Sequence, residues 1–295
     1  MNKQDILKAG KIAQEVREFA RGIIFKDKLL LEIAEAIEDK IIELGGEPAF
    51  PVNLSINEVA AHYTPSHEDT KLAYGLLKVD FGVSVDGWVA DTAFTLDLEK
   101  TNENKNLIDA AEAALANALK VVNKNSTLGE IGSVIEKTIT EKGFSVIINL
   151  SGHSMGEYDL HAGITIPNID TGSVEKLGEG LFAIEPFATN GSGRVKDGRD
   201  SGIYALVDSK NVRSPIAREV LDFIAEEYST LPFCSRWLVK KFGTKALIGL
   251  RQLEANGNLH SFAQLVEVNR GKVAQAEHTI FIEKGKKVVV TSRGD

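Results

Sequence analysis

The stretch LLKVDFGVSVDGWVADTAFTLD, Leu76 to Asp97, decides how this chain of 295 residues is read. Apolar and β-branched residues alternate in part on either side of a polar Asp86-Gly87 pair, the pattern of two antiparallel strands joined by a turn. Asp80 and Asp91 stand on opposite arms. A four-residue loop from Ser84 to Gly87 would pair Val83 with Trp88 and set Asp80 directly across from Asp91, with Cβ atoms about 4.5 to 5.5 Å apart. Like charges repel at that spacing, and burial would raise at least one pKa unless a cation neutralises the pair. A divalent metal does so while using both side chains as oxygen ligands. The hairpin alone is equally compatible with a solvated edge pair, or with a register that sends the two acids to opposite faces.

Ahead of the hairpin, apolar residues at Ile6, Ala9, Ile12, Val16, Phe19 and Ile23 step by three and four, which is one face of a helix. A second stripe, Leu30, Ile33, Ile37, Ile41 and Leu44, ends at Gly45-Gly46. The arrangement returns behind the hairpin, with Ile108, Ala111, Leu115 and Val122 on one helix and Leu128, Ile131, Ile135 and Ile139 on the next. The second helices align at a constant offset, Leu30 with Leu128 through Gly45 with Gly143, as in an internal repeat. Each pair runs into a strand-like segment with the same tripeptide, PVNLS at Pro51–Ser55 and IINLS at Ile147–Ser151, and histidines follow: His62 after the first, His153 and His161 after the second. An αα-strand duplication is expected.

Strands also fit LFAIEPFAT, VAQAEHTIFIE and KVVVTS, whereas Ser214 to Ala255 turns helical. Glu185 and Glu277 lie in strand contexts otherwise short of charge, and glutamate is seldom buried without a partner. His153 supplies an imidazole beside Gly152, which permits close approach of the backbone. Taken together, Asp80, Asp91, Glu185 and Glu277 with His153 give four carboxylates and one imidazole. That charge offsets two divalent cations, which lower the pKa of water toward 7 and make a hydrolase. The oxygen-rich set suits Mn, Fe or Co at least as well as Zn.

A formal net charge of -8 and the lack of any Lys or Arg block give no electrostatic driver for nucleic acid or an acidic membrane. MNKQDILKAGKIAQEV has neither signal nor transit character, so cytoplasmic residence is expected. Cys234 is the single cysteine, which rules out an intrachain disulfide and a multi-thiolate zinc site.

The segments FPVNLSINEVAAHYTP, VDFGVSVDGWVADTA, NLSGHSMGEYDLHAGITIPN, FAIEPFAT, TLPFCSRWL and QAEHTI together resemble the methionine aminopeptidases of the type II subgroup, within the wider group that includes prolidase, aminopeptidase P and creatinase. The resemblance spans nearly the whole chain. It implies an α+β pita-bread fold in which two pseudo-twofold αα-strand halves, about 1–100 and 101–295, surround a curved antiparallel sheet in one catalytic domain. A helical, winged-helix-like insert over 194–268 would mark type II. It further implies two divalent ions (Co, Mn, Fe or Zn) on Asp80, Asp91, His153, Glu185 and Glu277, with Glu185 also the general base and acid. His161 would stabilise the carbonyl oxygen and His62 hold the peptide near the cut, while Phe50, Leu160 and Phe262 line the methionine pocket. The implied substrate is a nascent polypeptide whose initiator methionine precedes a small residue. The implied protein is a monomer, and any ribosome contact would come from its folded body. Two stretches depart from the family pattern: the shortened EDTKLAYGLLKVDFG, and GSGRVKDGRDSG, rich in glycine and charge.

Overall fold

The computed structural model of the chain describes residues 1–292. It begins with α1 (Lys3–Ile23) and α2 (Leu30–Glu43), followed by β1 (Glu47–Pro48), β2 (Asn53–Ile56), β3 (Val59–Ala61) and the long hairpin β4 (Leu76–Val85) and β5 (Trp88–Asp97). A second helical pair follows, α3 (Asn102–Val121) and α4 (Leu128–Glu141), then β6 (Ser145–Val146), β7 (Ser151–Met155), β8 (Thr165–Pro167), β9 (Gly180–Ile184) and β10 (Phe187–Thr189). Next come β11 (Val195–Leu206), α5 (Pro215–Glu227), β12 (Phe233–Cys234), α6 (Ser235–Phe242), α7 (Ala246–Ala255) and β13 (Leu259–Glu267). The chain then returns through β14 (Val273–Gln275), β15 (Glu277–Glu283) and β16 (Lys286–Val289). No helix among the described residues is long and apolar enough to cross a membrane.

The main sheet is antiparallel and runs β1-β4-β5-β15-β9-β7-β8, with β2 on β4 and β16 on β15. Its alternation decides where everything else goes, because side chains two apart share a face. On the outer face, Leu77, Val79, Phe81 and Val83 of β4 pack on Val16, Ile33, Ile37 and Ile41 of α1 and α2. Phe182, Ile184, Ile280 and Ile282 likewise meet Ile131, Ile135 and Ile139 of α4. The inner face receives the other parity: Asp80, Asp91, His153 and Glu277, flanked by Val89, Met155, Leu181, Ala183 and Phe281 in a separate apolar cluster. Thus the apolar stripes that make the helices also turn the acids inward.

The helical repeat has a structural counterpart. Both α2 and α4 are 14 residues long, and their ends lie 98 apart, 30 to 128 and 43 to 141. The tripeptides behave differently: a strand starts at Asn53 in the first, but IINLS stays irregular until Ser151, since Ile147 and Ile148 bond singly to Phe187 and Gly193 rather than to a ladder.

The hairpin is tighter than the four-residue loop expected from the sequence. Asp86 and Gly87, at φ 48° and 82°, form a two-residue turn whose left-handed backbone suits the strand twist. Val85 therefore pairs with Trp88, Asp80 faces Ala93, and Asp91 faces Gly82. Asp80 and Asp91 are diagonal rather than directly opposed, and they keep the same face because the slip is an even number of residues.

The helices α5, α6 and α7 share a core of Val220, Ile224, Leu238, Leu250 and Phe233. They stand on a four-stranded sheet ordered β12-β11-β13-β3, so the span expected to be helical carries a β-layer as well. Most of the glycine- and charge-rich stretch becomes β11, whose pairing with β13 shifts register twice between Asp197 and Ile203.

Candidate metal centre

Each candidate ligand sits where a strand is interrupted or joined to a distant one. Asp80 and Asp91 come from the middle of the hairpin, and His153 from the centre of β7. Glu185 falls in the break between β9 and β10, beside Pro186, and Glu277 opens β15 after the break at Ala276. Pairing of Glu277 with Ala93 draws β15 against β5; pairing of His153 with Ala183 draws β7 against β9. The five side chains thereby converge. Ligand atoms of Asp91, His153 and Glu277 lie within 4.8 Å of one another, as do those of Asp80, Glu185 and Glu277. Glu277 belongs to both groups.

The electrostatics are those of a site built for positive charge. Burial pushes the Asp80 carboxyl up to about 7. Burial, reinforced by the neighbouring acids, holds Asp91, Glu185 and Glu277 well above the usual carboxylate range. Burial next to His161 takes the His153 imidazole down to about 3, so it is neutral and free to donate a lone pair. Among the described residues, Asp80 Oδ1, Asp91 Oδ1 and both Glu277 oxygens are buried without a hydrogen-bond partner. Orphaned carboxylate oxygens in a dry space cost several kcal/mol apiece unless protonated or bound to a cation. The donor set therefore fits divalent metal ions.

The cavity above these ligands measures about 300 Å³. Asp80, Asp91, His153 and Glu185 form its polar end, and Phe50, Leu160 and Phe262 are among its apolar walls. His62 and His161 also line it. His62 has a left-handed backbone (φ 64°), and its Nδ1 lies 3.2 Å from the Ala263 carbonyl. That bond makes Nδ1 the protonated nitrogen and leaves Nε2 as an acceptor. Burial lowers the pKa of both His62 and His161, and the His161 ring packs on His153 at 4.4 Å between centroids. Phe262 meets His62 edge-on at 5.7 Å.

Several residues that shape the site carry no sequence signal of the kind that exposed the acids. Gln275 Nε2 donates to Asp80 Oδ2 at 3.1 Å and to Glu185 Oε1 at 2.7 Å. Thr279 clasps the Asp91 backbone in both directions, accepting from its N–H and donating to its carbonyl, each at 2.8 Å. Asn168 donates to the Glu185 carbonyl at 2.9 Å. Ile203 and Pro232 also line the cavity.

The sequence matches the model of metallopeptidase family M24 over residues 4–284. It is 44% identical over 292 residues to the methionine aminopeptidase of Methanocaldococcus jannaschii, covering 98% of each chain. Against that of Pyrococcus abyssi it is 46% identical, covering 99% of this chain and 100% of the other. The solved structure of methionine aminopeptidase from Thermotoga maritima superimposes with a TM-score of 0.71 at 22% identity, covering 99% of this chain and 98% of that one, which shows a shared pita-bread fold. The acids of the hairpin therefore stand in a known architecture: the chain belongs to metallopeptidase family M24 and, within it, to the methionine aminopeptidases.

Proposed function

We propose that the chain removes N-terminal methionine using two divalent cations, one held by Asp91, His153 and Glu277, the other by Asp80, Glu185 and Glu277. The observation that carries this reading is the pair of ligand groups joined at Glu277. As a methionine aminopeptidase the protein is a metal-dependent hydrolase. Cations of this kind, when bound, polarise the scissile carbonyl and lower the pKa of water. Glu185 takes the proton of the attacking water and passes it to the leaving amide nitrogen. His161, at the cavity wall beside His153, donates to the carbonyl oxygen as charge develops on it. His62 Nε2, left as an acceptor by the bond from Nδ1 to Ala263, receives the substrate N–H beyond the cut. Phe50, Leu160 and Phe262 enclose the methionine side chain. A small residue follows the methionine in the preferred substrate.

Residues 1–295 work as one catalytic domain with halves near 1–100 and 101–295. The span 194–268 acts as the added subdomain of the type II subgroup, supplying Ile203, Pro232, Phe262 and Leu265 to the cavity wall. Cytoplasmic residence, a monomeric state and contact with the ribosome belong to the same reading. Cell fractionation, sedimentation velocity and co-sedimentation with ribosomes test them.

The decisive experiment is anaerobic purification with metal quantification, followed by return of each divalent ion to the metal-free protein with Met-Ala-Ser and an Xaa-Pro peptide. Cleavage of Met-Ala-Ser restored at two ions per chain is expected; cleavage of the Xaa-Pro peptide alone overturns the specificity. His161→Ala should lower kcat by about 10²- to 10³-fold at unchanged metal content.

A further inference from the structure

Outside the ligand set, a buried ion pair joins three segments that each run into the cavity wall. Arg236, at the start of α6, is 3% exposed and Glu38, within α2, is 5% exposed. The guanidinium grips the carboxylate with two parallel bonds, Nη1 to Oε2 at 2.7 Å and Nη2 to Oε1 at 2.9 Å. The same carboxylate accepts from Val52 N at 3.2 Å and from Trp237 Nε1 at 2.9 Å. Arg236 also donates from Nε to the Pro65 carbonyl at 3.0 Å and from Nη2 to Thr64 Oγ1 at 3.4 Å.

The destinations of these bonds are specific. Val52 lies between Phe50 and Asn53, both of which line the cavity; Thr64 and Pro65 follow directly on the segment that carries His62. On the other side, Arg236 stands four residues after Pro232, another wall residue. The short β12 between them pairs with β11 at Ile203, which faces Phe262 on β13. The cavity thus takes Phe50 and Asn53 from one segment and Ile203, Pro232 and Phe262 from another group of strands and turns, with His62 in edge contact with Phe262 and bonded to Ala263. Bonds from Glu38 and Arg236 reach both.

Net stability gives no sufficient reason to keep such a pair, since well-packed apolar residues in its place are often neutral or stabilising. What a bidentate fork offers beyond energy is fixed geometry. We propose that Glu38 and Arg236 are positioning residues that set where Phe50 and Asn53 stand relative to Ile203 and Pro232, and with it the fit of the methionine side chain. This rests on the methionine reading of the cavity. The pair touches no metal ligand, so its role separates from cation binding.

The test is Arg236→Lys, which keeps the charge but cannot bond Glu38, Thr64 and Pro65 at once. It should fold and keep its metal content. KM for Met-Ala-Ser should rise on the order of 10-fold with kcat changed by less than about twofold, and discrimination against Leu-Ala-Ser should shrink. The double variant Glu38→Met, Arg236→Met distinguishes positioning from stability: it should recover thermal stability and still show the raised KM. A wild-type KM in either folded variant overturns the proposal. So does a loss of metal affinity in parallel with the KM change, which would mean general loosening. Calorimetric binding of free methionine to metal-loaded protein reads the pocket without turnover. A wild-type protein that fails to cleave Met-Ala-Ser refutes the functional reading, whereas equal methionine affinity in wild type and Arg236→Lys refutes the positioning role. Should Arg236→Lys not fold, Trp237→Phe, which deletes one bond to Glu38, carries the test: weaker methionine binding supports the proposal and unchanged binding overturns it.

Discussion

Gln275 carries no charge, yet its Nε2 donates to one oxygen of Asp80 and one of Glu185, and this bonding leaves Asp80 Oδ1 without a protein partner. The amide opposes the rise in pKa of both acids, which burial otherwise drives. Partners of this sort, one bond removed from a metal, typically govern affinity by about 10- to 100-fold. Gln275→Leu should therefore weaken divalent-cation binding by a factor in that range, measured by competition with a chromogenic chelator. Unchanged affinity would mean that the carboxylates hold their places without the amide. The four acids were legible in the sequence because a charge inside an apolar strand conflicts with the cost of burying it. Gln275 and Thr279 raise no such conflict, since a neutral polar residue in a strand is ordinary, and their roles depend on partners up to 195 residues away. His62 and His161 occupied an intermediate position. Their proximity to the NLS tripeptides marked them, but the tautomer of His62 became definable only through Ala263, a contact made across the β3–β13 pairing.

At the level of strands, β7 lies so close to β9 that a Cβ on Gly152 would sit 2.3 Å from the Ala183 carbonyl oxygen. His153 is the next residue and pairs with Ala183. Gly152→Ala must push the strands apart and carry the imidazole with them, at a cost typical of overpacking, about 1 to 3 kcal/mol. A lower Tm together with reduced metal content is expected from thermal unfolding and metal analysis. Full metal content at the wild-type Tm would show that β7 can shift without moving its histidine. Periodicity defined the helices well: the 98-residue offset between α2 and α4 lies in a stripe of apolar residues that any register error would break. Short strands were less readable. The IINLS segment has the composition of a strand but forms only single bonds to Phe187 and Gly193, and the hairpin register turned on whether Asp86-Gly87 was the entire loop or half of it. Both outcomes depend on partners or dihedral angles, which composition does not encode.

For the molecule as a whole, the site exists only because β15 inserts between β5 and β9, which places Glu277 beside residues more than 180 positions earlier. Nothing local predicts that order; the family resemblance implied the ligand set and a curved antiparallel sheet, but not which strands are neighbours. The assembly gathers four carboxylates in one desolvated space, and this has a consequence for stability. In the metal-free protein Asp80 holds its proton up to about 7, and Asp91, Glu185 and Glu277 hold theirs still more firmly than free acids do. The unfolded chain releases these protons near pH 4. For acids raised in this way the stabilisation is complete below the unfolded pKa and is lost as pH rises through the folded one. These acids should therefore cost the metal-free protein stability as pH rises from about 4 through 7. The histidines with lowered pKa contribute the opposite slope until about pH 7.5, where the unfolded chain has lost its imidazole protons, and they do so in loaded and metal-free protein alike. Lys78, taken down to about 7 by complete burial, contributes the opposite slope, because its unfolded form stays protonated to higher pH. It lies outside the ligand set and acts in loaded and metal-free protein alike, so it drops out of their difference. Cations displace the protons of the acids and remove the loss. The gap in unfolding free energy between Mn-loaded and chelated protein should widen as pH rises to about 7, and calorimetry in buffers of different ionisation enthalpy should detect proton release on loading at pH 7. Parallel stability curves with no proton release would mean that the four acids are already ionised without metal, and that the inner face of the sheet is far wetter than its packing implies.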